Sequence, residues 1–335
     1  YPNIKVYIDG RTEFYGAKFF LEYRDMWERG NKELIAKNLE KYEITGALLN
    51  SSRNNIPEEV LEYFHKNEDW IPVYFDFDAV VFLKDVDHNK QWIAEHGIDL
   101  EKWDPKLLDP VRFGPVAVKP FHYYYRAFTL ESIDIDGPAK KEAQAALDLY
   151  ADYGEAYALL GRIALKNDDL VEAEKQFRLA VGYKPKNREY RLKLAKVYLD
   201  MNQLDAAIVQ YLTIAGRWKD EPKVHFQLAL AYAKDFQFKH SLDALREGIR
   251  LKPQNVQDVI VVGDEYHRNR DFKSAKEVYQ LVAESKLLKP DHLRSIGKNY
   301  AALGEEDKAE KFFERAELNE KSLESSEEEQ AQPLG

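Results

Sequence analysis

The feature that most constrains the fold of this chain is an internal repeat with a period of 34 residues (195 − 161 = 34). It runs from residue 154 onward without insertion or deletion. A first series of small residues consists of Gly161, Ala195, Ala229, Gly263 and Gly297. A second small series is Ala173, Ala207, Ser241, Ala275 and Ala309, and a large series is Phe177, Tyr211, Leu245, Tyr279 and Phe313. A fixed period of this length indicates a stack of similar structural units.

Each period carries the pattern of two antiparallel helices. In the second helix, the small and large residues, such as Ala173 and Phe177, are four positions apart and therefore share one face. The small residue of the first helix, such as Gly161, allows the partner helix to approach closely. Turn-forming residues separate the two helices at Asn167-Asp168-Asp169, and Pro185 separates two repeats. We therefore expect a helical hairpin in every repeat.

This pattern resembles the tetratricopeptide repeat (TPR). The residues that match its motif are Leu160-Gly161, Ala173, Phe177, Ala180 and Pro185, with Tyr198 in the next copy. The resemblance implies an all-α superhelix of five repeats, and residues 120–153 fit weakly enough to be interpreted as a degenerate or capping repeat. Lys219, Leu287 and Lys321 stand where the family often has Pro, which leaves those turns less defined. The implied repeats are 154–187, 188–221, 222–255, 256–289 and 290–323.

The first part of the chain has a different pattern, in which β-branched and aromatic runs alternate with helical periodicity. It predicts a small α/β layered sheet domain over residues 1–85 and a helix-containing connector over 86–119. The acidic segment 324–335 is predicted to be a disordered tail, because it cannot bury enough apolar surface to fold. The expected fold is therefore multidomain, with an α/β domain followed by the TPR superhelix. The predicted strands are 4–8, 44–49, 70–75 and 79–84, and the predicted helices are 16–29, 31–42 and 57–65.

The composition disfavours several functional classes. Lys and Arg number 49 and Asp and Glu number 59, so the formal charge is −10, which is unfavourable for a protein that binds a phosphate backbone. Cysteine is absent, which excludes disulfides and cysteine-ligated metals. The sequence has no apolar run long enough to span a bilayer. It also lacks paired metal-binding histidines, a phosphate-binding loop and a nucleophile elbow, so we expect no metal, no cofactor and no catalytic residues in this chain.

The best candidate for function is a groove. In TPR proteins the first helices line a concave surface, and the resemblance assigns positions 2, 5, 9, 12 and 13 of each repeat to it. These positions are apolar in the middle repeats and carry an excess of basic residues, so we expect a protein or peptide partner of acidic character. A solvated helix face with ordinary charges is the alternative. The predicted groove residues are Arg162, Lys166, Leu192, Lys196, Leu199, Phe226, Leu230, Lys234, Ile260, His267, Arg268, Arg294 and Lys298.

Two short acidic segments near the N-terminal strands are further candidates. Asp9, Arg11 and Glu13 follow a predicted strand, where ligands bind in open α/β sheets, so they form a possible ligand loop. The alternative is an Asp-Gly turn with an arginine–carboxylate pair, and we favour it. Asp76 and Asp78 lie between two predicted strands and are interpreted as a hairpin turn rather than as a catalytic pair.

The N-terminal part also resembles the soluble extracytoplasmic region that follows the membrane helices in some polytopic proteins related to glycosyltransferases. The matching residues are Val6-Tyr7-Ile8-Asp9-Gly10-Arg11 and the segment from Trp70 to Phe82. The resemblance implies an accessory domain, since the catalytic carboxylates of such proteins lie in membrane-associated loops. The chain begins at Tyr1 without Met, so we expect a processed product or a fragment, tethered to a membrane through an upstream region. This favours the extracytoplasmic face of a membrane, with the cytoplasm as the alternative.

Three functional hypotheses follow from the sequence. The first is a non-enzymatic scaffold that binds a partner protein or peptide in the TPR groove. The second is the soluble accessory domain of a membrane glycosyltransferase-like protein. In the third, the acidic tail after Ser325 folds back onto the basic groove and competes with the partner.

Overall fold

The computed structural model describes residues 21, 24–26, 29–50, 58–104 and 119–330. The chain divides into two compact units, Tyr1–Pro185 and Lys186–Gly335. The predicted strand over 4–8 and the possible ligand loop of Asp9, Arg11 and Glu13 lie outside the described residues.

A small antiparallel sheet forms the start of the first unit. Its strand order is β1-β3-β2, and β3 pairs antiparallel with both neighbours. Strands β2 and β3 match the sequence-based ranges, whereas β1 begins two residues later than predicted (46 − 44 = 2). The described elements before the repeats are α1 (Lys32–Lys41), β1 (Gly46–Asn50), α2 (Glu58–Lys66), β2 (Trp70–Phe75), β3 (Ala79–Lys84) and α3 (Lys90–His96).

The turn between β2 and β3 confirms the interpretation of its two aspartates. The Asp76 Oδ1 accepts hydrogen bonds from the backbone N–H of Asp78 at 2.8 Å and from that of Ala79 at 3.1 Å. This is the side-chain to backbone bonding with which Asp stabilises a turn. The ring of Phe77, between the two aspartates, packs on the ring of His122 with centroids 4.2 Å apart. The hairpin therefore contacts the first helix of the repeat region.

Six helical hairpins follow, and their bounds repeat with the period of the sequence. The first helices begin 34 residues apart (154 − 120 = 34), and so do the second helices (170 − 136 = 34). The helices of the segment 120–153 begin and end at the same positions as those of the next three repeats. The first helices are α4 (Pro120–Ser132), α6 (Gly154–Lys166), α8 (Arg188–Asp200), α10 (Pro222–Lys234), α12 (Val256–Arg268) and α14 (Pro290–Ala302). The second helices are α5 (Asp136–Leu149), α7 (Leu170–Tyr183), α9 (Leu204–Arg217), α11 (Phe238–Leu251), α13 (Phe272–Gln280) and α15 (Glu306–Gln330).

The turn inside each hairpin also repeats. One residue per turn has a positive φ, and the six residues are separated by 34 positions (168 − 134 = 34). A left-handed residue at this point reverses the chain after the first helix, as at other helix C-termini. These residues are Asp134, Asp168, Asn202, Phe236, Arg270 and Gly304.

The two helices of a repeat pack as the series of small and large residues predicts. A Cβ added to Gly161 would lie 2.9 Å from the ring of Phe177, and one added to Gly297 would lie 2.6 Å from the ring of Phe313. Any side chain at these glycines would therefore push the second helix away. This confirms the close approach expected from the sequence.

Each unit has its own hydrophobic cluster. In the first unit, the cluster joins the sheet to the first two repeats, from Phe64 and Phe82 through Tyr124 and Leu130 to Ile163. In the second unit, it runs from Ala195 to Ala316 through four repeats. The sheet therefore packs on the repeat helices of its own unit and shares their core.

The last helix is longer than the sequence suggested. Helix α15 continues to Gln330, so residues 324–330 are helical where a disordered tail was expected. Propagation of an existing helix costs little compared with its nucleation, and Glu and Gln are good helix formers. No helix among the described residues is both long and apolar enough to cross a bilayer.

Candidate binding surfaces on the repeat helices

Three of the apolar side chains predicted to line the groove lie inside the second unit instead. Phe226 is 1% exposed, Ile260 is 2% exposed and Leu199 is 6% exposed. The ring of Phe226 packs against Gly248 of α11, where an added Cβ would lie 2.9 Å away. These residues belong to the core, so their side chains do not line an open surface as predicted. The reason is that Gly248 leaves a gap in the second helix, which the phenylalanine of the first helix fills.

In the first unit, the predicted groove cations are held by carboxylates of the preceding repeat. The Arg162 guanidinium donates to the Glu131 carboxylate at 2.7 Å and lies over the ring of Phe128. The Lys166 Nζ donates to the backbone carbonyl of Glu131 at 2.7 Å and to Asp134 Oδ1 at 3.0 Å. Glu131 is buried, so these pairs fix adjacent repeats to each other. Their positive charges are largely neutralised.

Most predicted groove cations of the second unit are also paired. Lys234 and Arg268 both contact the buried carboxylate of Glu265, with the lysine at 3.9 Å. Arg294 forms ion pairs with Asp291 at 3.0 Å and with Glu320 on the last helix. These carboxylates lie outside the positions that the TPR resemblance assigned to the groove, except Asp291. Counting charges at the groove positions alone therefore overstated the basic excess.

His267 has a structural partner rather than an open coordination position. Its Nδ1 lies 2.9 Å from Asn299 Oδ1, and the Asn299 amide donates to the carbonyl of Phe272 at 3.0 Å. Asn299 is fully buried between two repeats. This arrangement satisfies polar groups at a repeat interface. Among the described residues, no group of three or more His, Asp or Glu side chains could hold a metal ion.

An uncompensated basic region remains on α8 and α10. Lys196 and Lys223 are exposed and have no carboxylate partner among the described residues, while Leu192 and Leu230 are half-buried on the same helices. We call these four residues the α8–α10 patch. Helix α8 has four cations and two carboxylates (4 − 2 = +2), α10 has two cations (+2), and α12 has one cation and three carboxylates (1 − 3 = −2). Of these cations, Arg188 is paired with Glu221 and Lys234 with Glu265. Lys298 on α14 is likewise exposed, without a carboxylate partner among the described residues.

The first unit contains a buried ion pair that sequence reasoning missed. Arg126 donates from Nε and from its terminal nitrogen to the two oxygens of Glu142, at 2.6 and 2.7 Å. The guanidinium also lies over the rings of Trp103 and Tyr123. Burial raises the pKa of Glu142 to about 7, although Arg126 acts to lower it. Both side chains of the pair are buried, and the pair links α4 to α5.

The comparisons with known proteins concern the repeats. Residues 139–188 match the family model of the tetratricopeptide repeat, which supports this identification of the helical repeats. No curated protein matches the chain. Neither the family match nor the solved structures below support the resemblance of the N-terminal part to glycosyltransferase-related membrane proteins.

Several solved structures are similar to this chain at low sequence identity. MamA is 23% identical, with 50% of this chain and 97% of MamA aligned at a TM-score of 0.41. YrrB, described as a TPR protein with an unusual peptide-binding site, is 18% identical, with 52% and 89% aligned at a TM-score of 0.46. PilF of Pseudomonas aeruginosa is 15% identical, with 64% and 97% aligned at a TM-score of 0.43. These similarities are too distant to transfer a partner to this chain.

Proposed function

We propose that this chain is a non-enzymatic protein-interaction scaffold, and that its α8–α10 patch binds an acidic peptide or an acidic segment of a partner protein. The observation that carries the proposal is the exposure of Lys196 and Lys223 without carboxylate partners among the described residues. Lys196 was among the predicted groove residues, and Lys223 was not. The predicted groove cations that pair with carboxylates within the fold are Arg162, Lys166, Lys234, Arg268 and Arg294. Half-buried Leu192 and Leu230 on the same two helices would provide apolar contact for such a segment.

The proposed site lies on α8 and α10 alone, whereas the sequence predicts a groove along the first helices of all five repeats. An acidic segment with apolar side chains would place its carboxylates near the lysines and its apolar groups on the leucines. Exposed charges mainly accelerate association, and their contribution falls as salt screens them. Binding should therefore weaken between low and physiological ionic strength.

A selection experiment tests this function without a known partner. Random dodecapeptides displayed on phage are selected on the full chain, and the affinities of the selected peptides are measured by fluorescence anisotropy. We expect enrichment of Asp and Glu beside apolar residues. The double variant Lys196→Glu, Lys223→Glu should weaken binding by about tenfold at low salt, from roughly 0.2–1 kcal/mol per exposed pair and the repulsion that reversal adds.

Lys298→Glu is the matched control, because Lys298 is an exposed groove-position lysine of the same unit that lies outside the patch. It should change affinity by less than about twofold if the patch carries the binding. Selected peptides without acidic enrichment, or equal losses in the double variant and in the control, would refute the proposed site.

A further inference from the structure

One position of the second helices has a recurring polar role. Glu142 on α5, Gln176 on α7 and Gln210 on α9 are separated by one repeat each (176 − 142 = 34, 210 − 176 = 34). In two of these repeats, an arginine of the first helix binds the side-chain oxygen. Arg126 binds both oxygens of Glu142 at 2.6 and 2.7 Å, and Arg191 donates to Gln210 Oε1 at 2.7 Å.

The middle repeat has the acceptor but not the arginine. Gln176 is 8% exposed, and its Oε1 has no hydrogen-bond partner among the described residues. Its Nε2 donates to Glu172 Oε1 at 2.6 Å, which fixes the orientation of the amide, since the reverse orientation would bring two oxygens together. Buried acceptors are almost always satisfied in folded proteins, so an unpaired one needs an explanation.

The sequence explains why no internal arginine reaches Gln176. The residue equivalent to Arg126 in this repeat is Leu160 (160 − 126 = 34), and the residue equivalent to Arg191 is Tyr157 (191 − 157 = 34). Neither side chain can donate to the glutamine from the place of a guanidinium, since leucine has no donor and the Tyr157 hydroxyl donates to the carbonyl of Ala151 at 2.9 Å. The first helix therefore leaves the acceptor without a partner.

A cavity opens beside this acceptor. It has a volume of about 640 Å³ and lies between α5 and α7, with Leu160, Ala164 and Ala145 among its lining residues. Glu172 and Gln176 line it from α7. The apolar part of the lining faces three carboxylates, those of Asp148, Asp169 and Glu172. The amide side chains of Gln144 and Asn167 also line the cavity, next to the buried amide oxygen of Gln176. Lys141 also lines it but is paired with Asp104 at 3.0 Å, and Lys140 is the second cation on α5.

We propose that this cavity binds an arginine side chain of a partner protein, which supplies to Gln176 the guanidinium that Arg126 and Arg191 supply in the neighbouring repeat positions. The arginine methylenes would lie on Leu160 and Ala164, and the planar guanidinium would donate to Gln176 Oε1 and to the Glu172 carboxylate. Several parallel N–H donors in a fixed fork suit two adjacent acceptors better than the single ammonium of lysine. The site is separate from the α8–α10 patch and selects the opposite charge.

The test uses the full chain with methyl labels on Leu and Ala, and two probes of the same shape. Acetyl-arginine amide is titrated against acetyl-citrulline amide, whose urea group is neutral, and the methyl signals of Leu160 and Ala164 are followed by NMR. We expect saturable shifts with arginine and an affinity for citrulline about tenfold lower, since charge-assisted hydrogen bonds are roughly twice as strong as neutral ones.

Three variants distinguish arginine binding in this cavity from general effects of substitution on the protein. Gln176→Met keeps the side-chain length without the acceptor and should lower arginine affinity about tenfold or more. Glu172→Gln keeps the shape without the charge and should reduce the preference for arginine over citrulline to less than about threefold. Gln210→Met, at the equivalent position already satisfied by Arg191, should leave binding unchanged. Equal shifts with the two probes, no shifts with arginine, or arginine binding that survives Gln176→Met in a folded protein would overturn the proposal.

Discussion

Substitution of Phe236 would measure how much free energy of folding a turn residue with a positive φ costs. It adopts φ 56° at the hairpin turn of its repeat and is 71% exposed. The left-handed region costs a residue with a Cβ about 1–2 kcal/mol relative to glycine, and a bulky residue is rarely found there. Because the exposed ring recovers little by burial, we expect Phe236→Gly to raise the free energy of unfolding by about 1 kcal/mol. In a unit of 150 residues (335 − 186 + 1 = 150), this corresponds to an increase in Tm of roughly 2–4 °C.

Thermal unfolding followed by far-UV circular dichroism measures the effect, and a neighbouring turn supplies the reverse experiment. Asn202 holds the same turn position with φ 58°, and Asn tolerates this conformation better than Phe. Asn202→Phe should therefore lower the Tm by a similar amount. If Phe236→Gly lowers the Tm, the ring contributes contacts that outweigh its backbone strain, and the reasoning is refuted.

Three further predictions concern the core and its charges. Phe226→Ala should destabilise the second unit by about 3–5 kcal/mol in urea unfolding, because it empties a buried site, while the exposed Lys196→Ala should change stability by less than about 0.5 kcal/mol. Gly263→Ala should lower the free energy of unfolding by about 1–3 kcal/mol in the same assay, because the new methyl group would meet the ring of Tyr279. The hydroxyl of this tyrosine donates to Asp264 at 2.6 Å. An unchanged midpoint of unfolding would contradict the close packing. Burial raises the pKa of Glu142 from 4.5 to about 7, so the folded protein binds more protons than the unfolded chain between these pH values. The free energy of unfolding should therefore fall as the pH rises from about 5 to 7. Glu142→Gln should remove this dependence, and a variant whose pH profile parallels that of the wild type would contradict the prediction.

The repeat architecture could be predicted from the sequence because its determinants are local and periodic. The spacing of Gly161 and Phe177 defines both helices of a hairpin, and the structure places their contact where the pattern requires it. The two aspartates of the β2–β3 turn were interpreted correctly for the same reason, since Asp76 bonds to backbone groups only two and three residues away. Features of this kind do not depend on distant parts of the chain.

The predicted groove was less accurate because it depended on side-chain direction and on partners from other repeats. Phe226 occupies a position assigned to the surface, but Gly248 creates room for it in the interior. Arg162 and Lys166 were counted as free charges, although Glu131 of the preceding repeat binds both. A glycine in the second helix and an acidic residue one repeat earlier were the signals that could have corrected these assignments. The unpaired Oε1 of Gln176 could be recognised only once the arginines of the adjacent repeats had been placed.

The core that the sheet and the first repeats share limits where the number of repeats can vary during evolution. A solenoid needs an end that does not expose apolar residues, and here Tyr124 and Leu130 of the first repeat share a buried cluster with the sheet. A gene fragment that starts at Pro120 would therefore encode a protein with an uncovered core and a tendency to aggregate. Duplication or loss of a whole repeat within residues 188–323 would leave that covered end intact, since the helix starts there recur at a fixed interval. The sheet thus fixes the beginning of the array, and evolutionary variation in repeat number is expected beyond it.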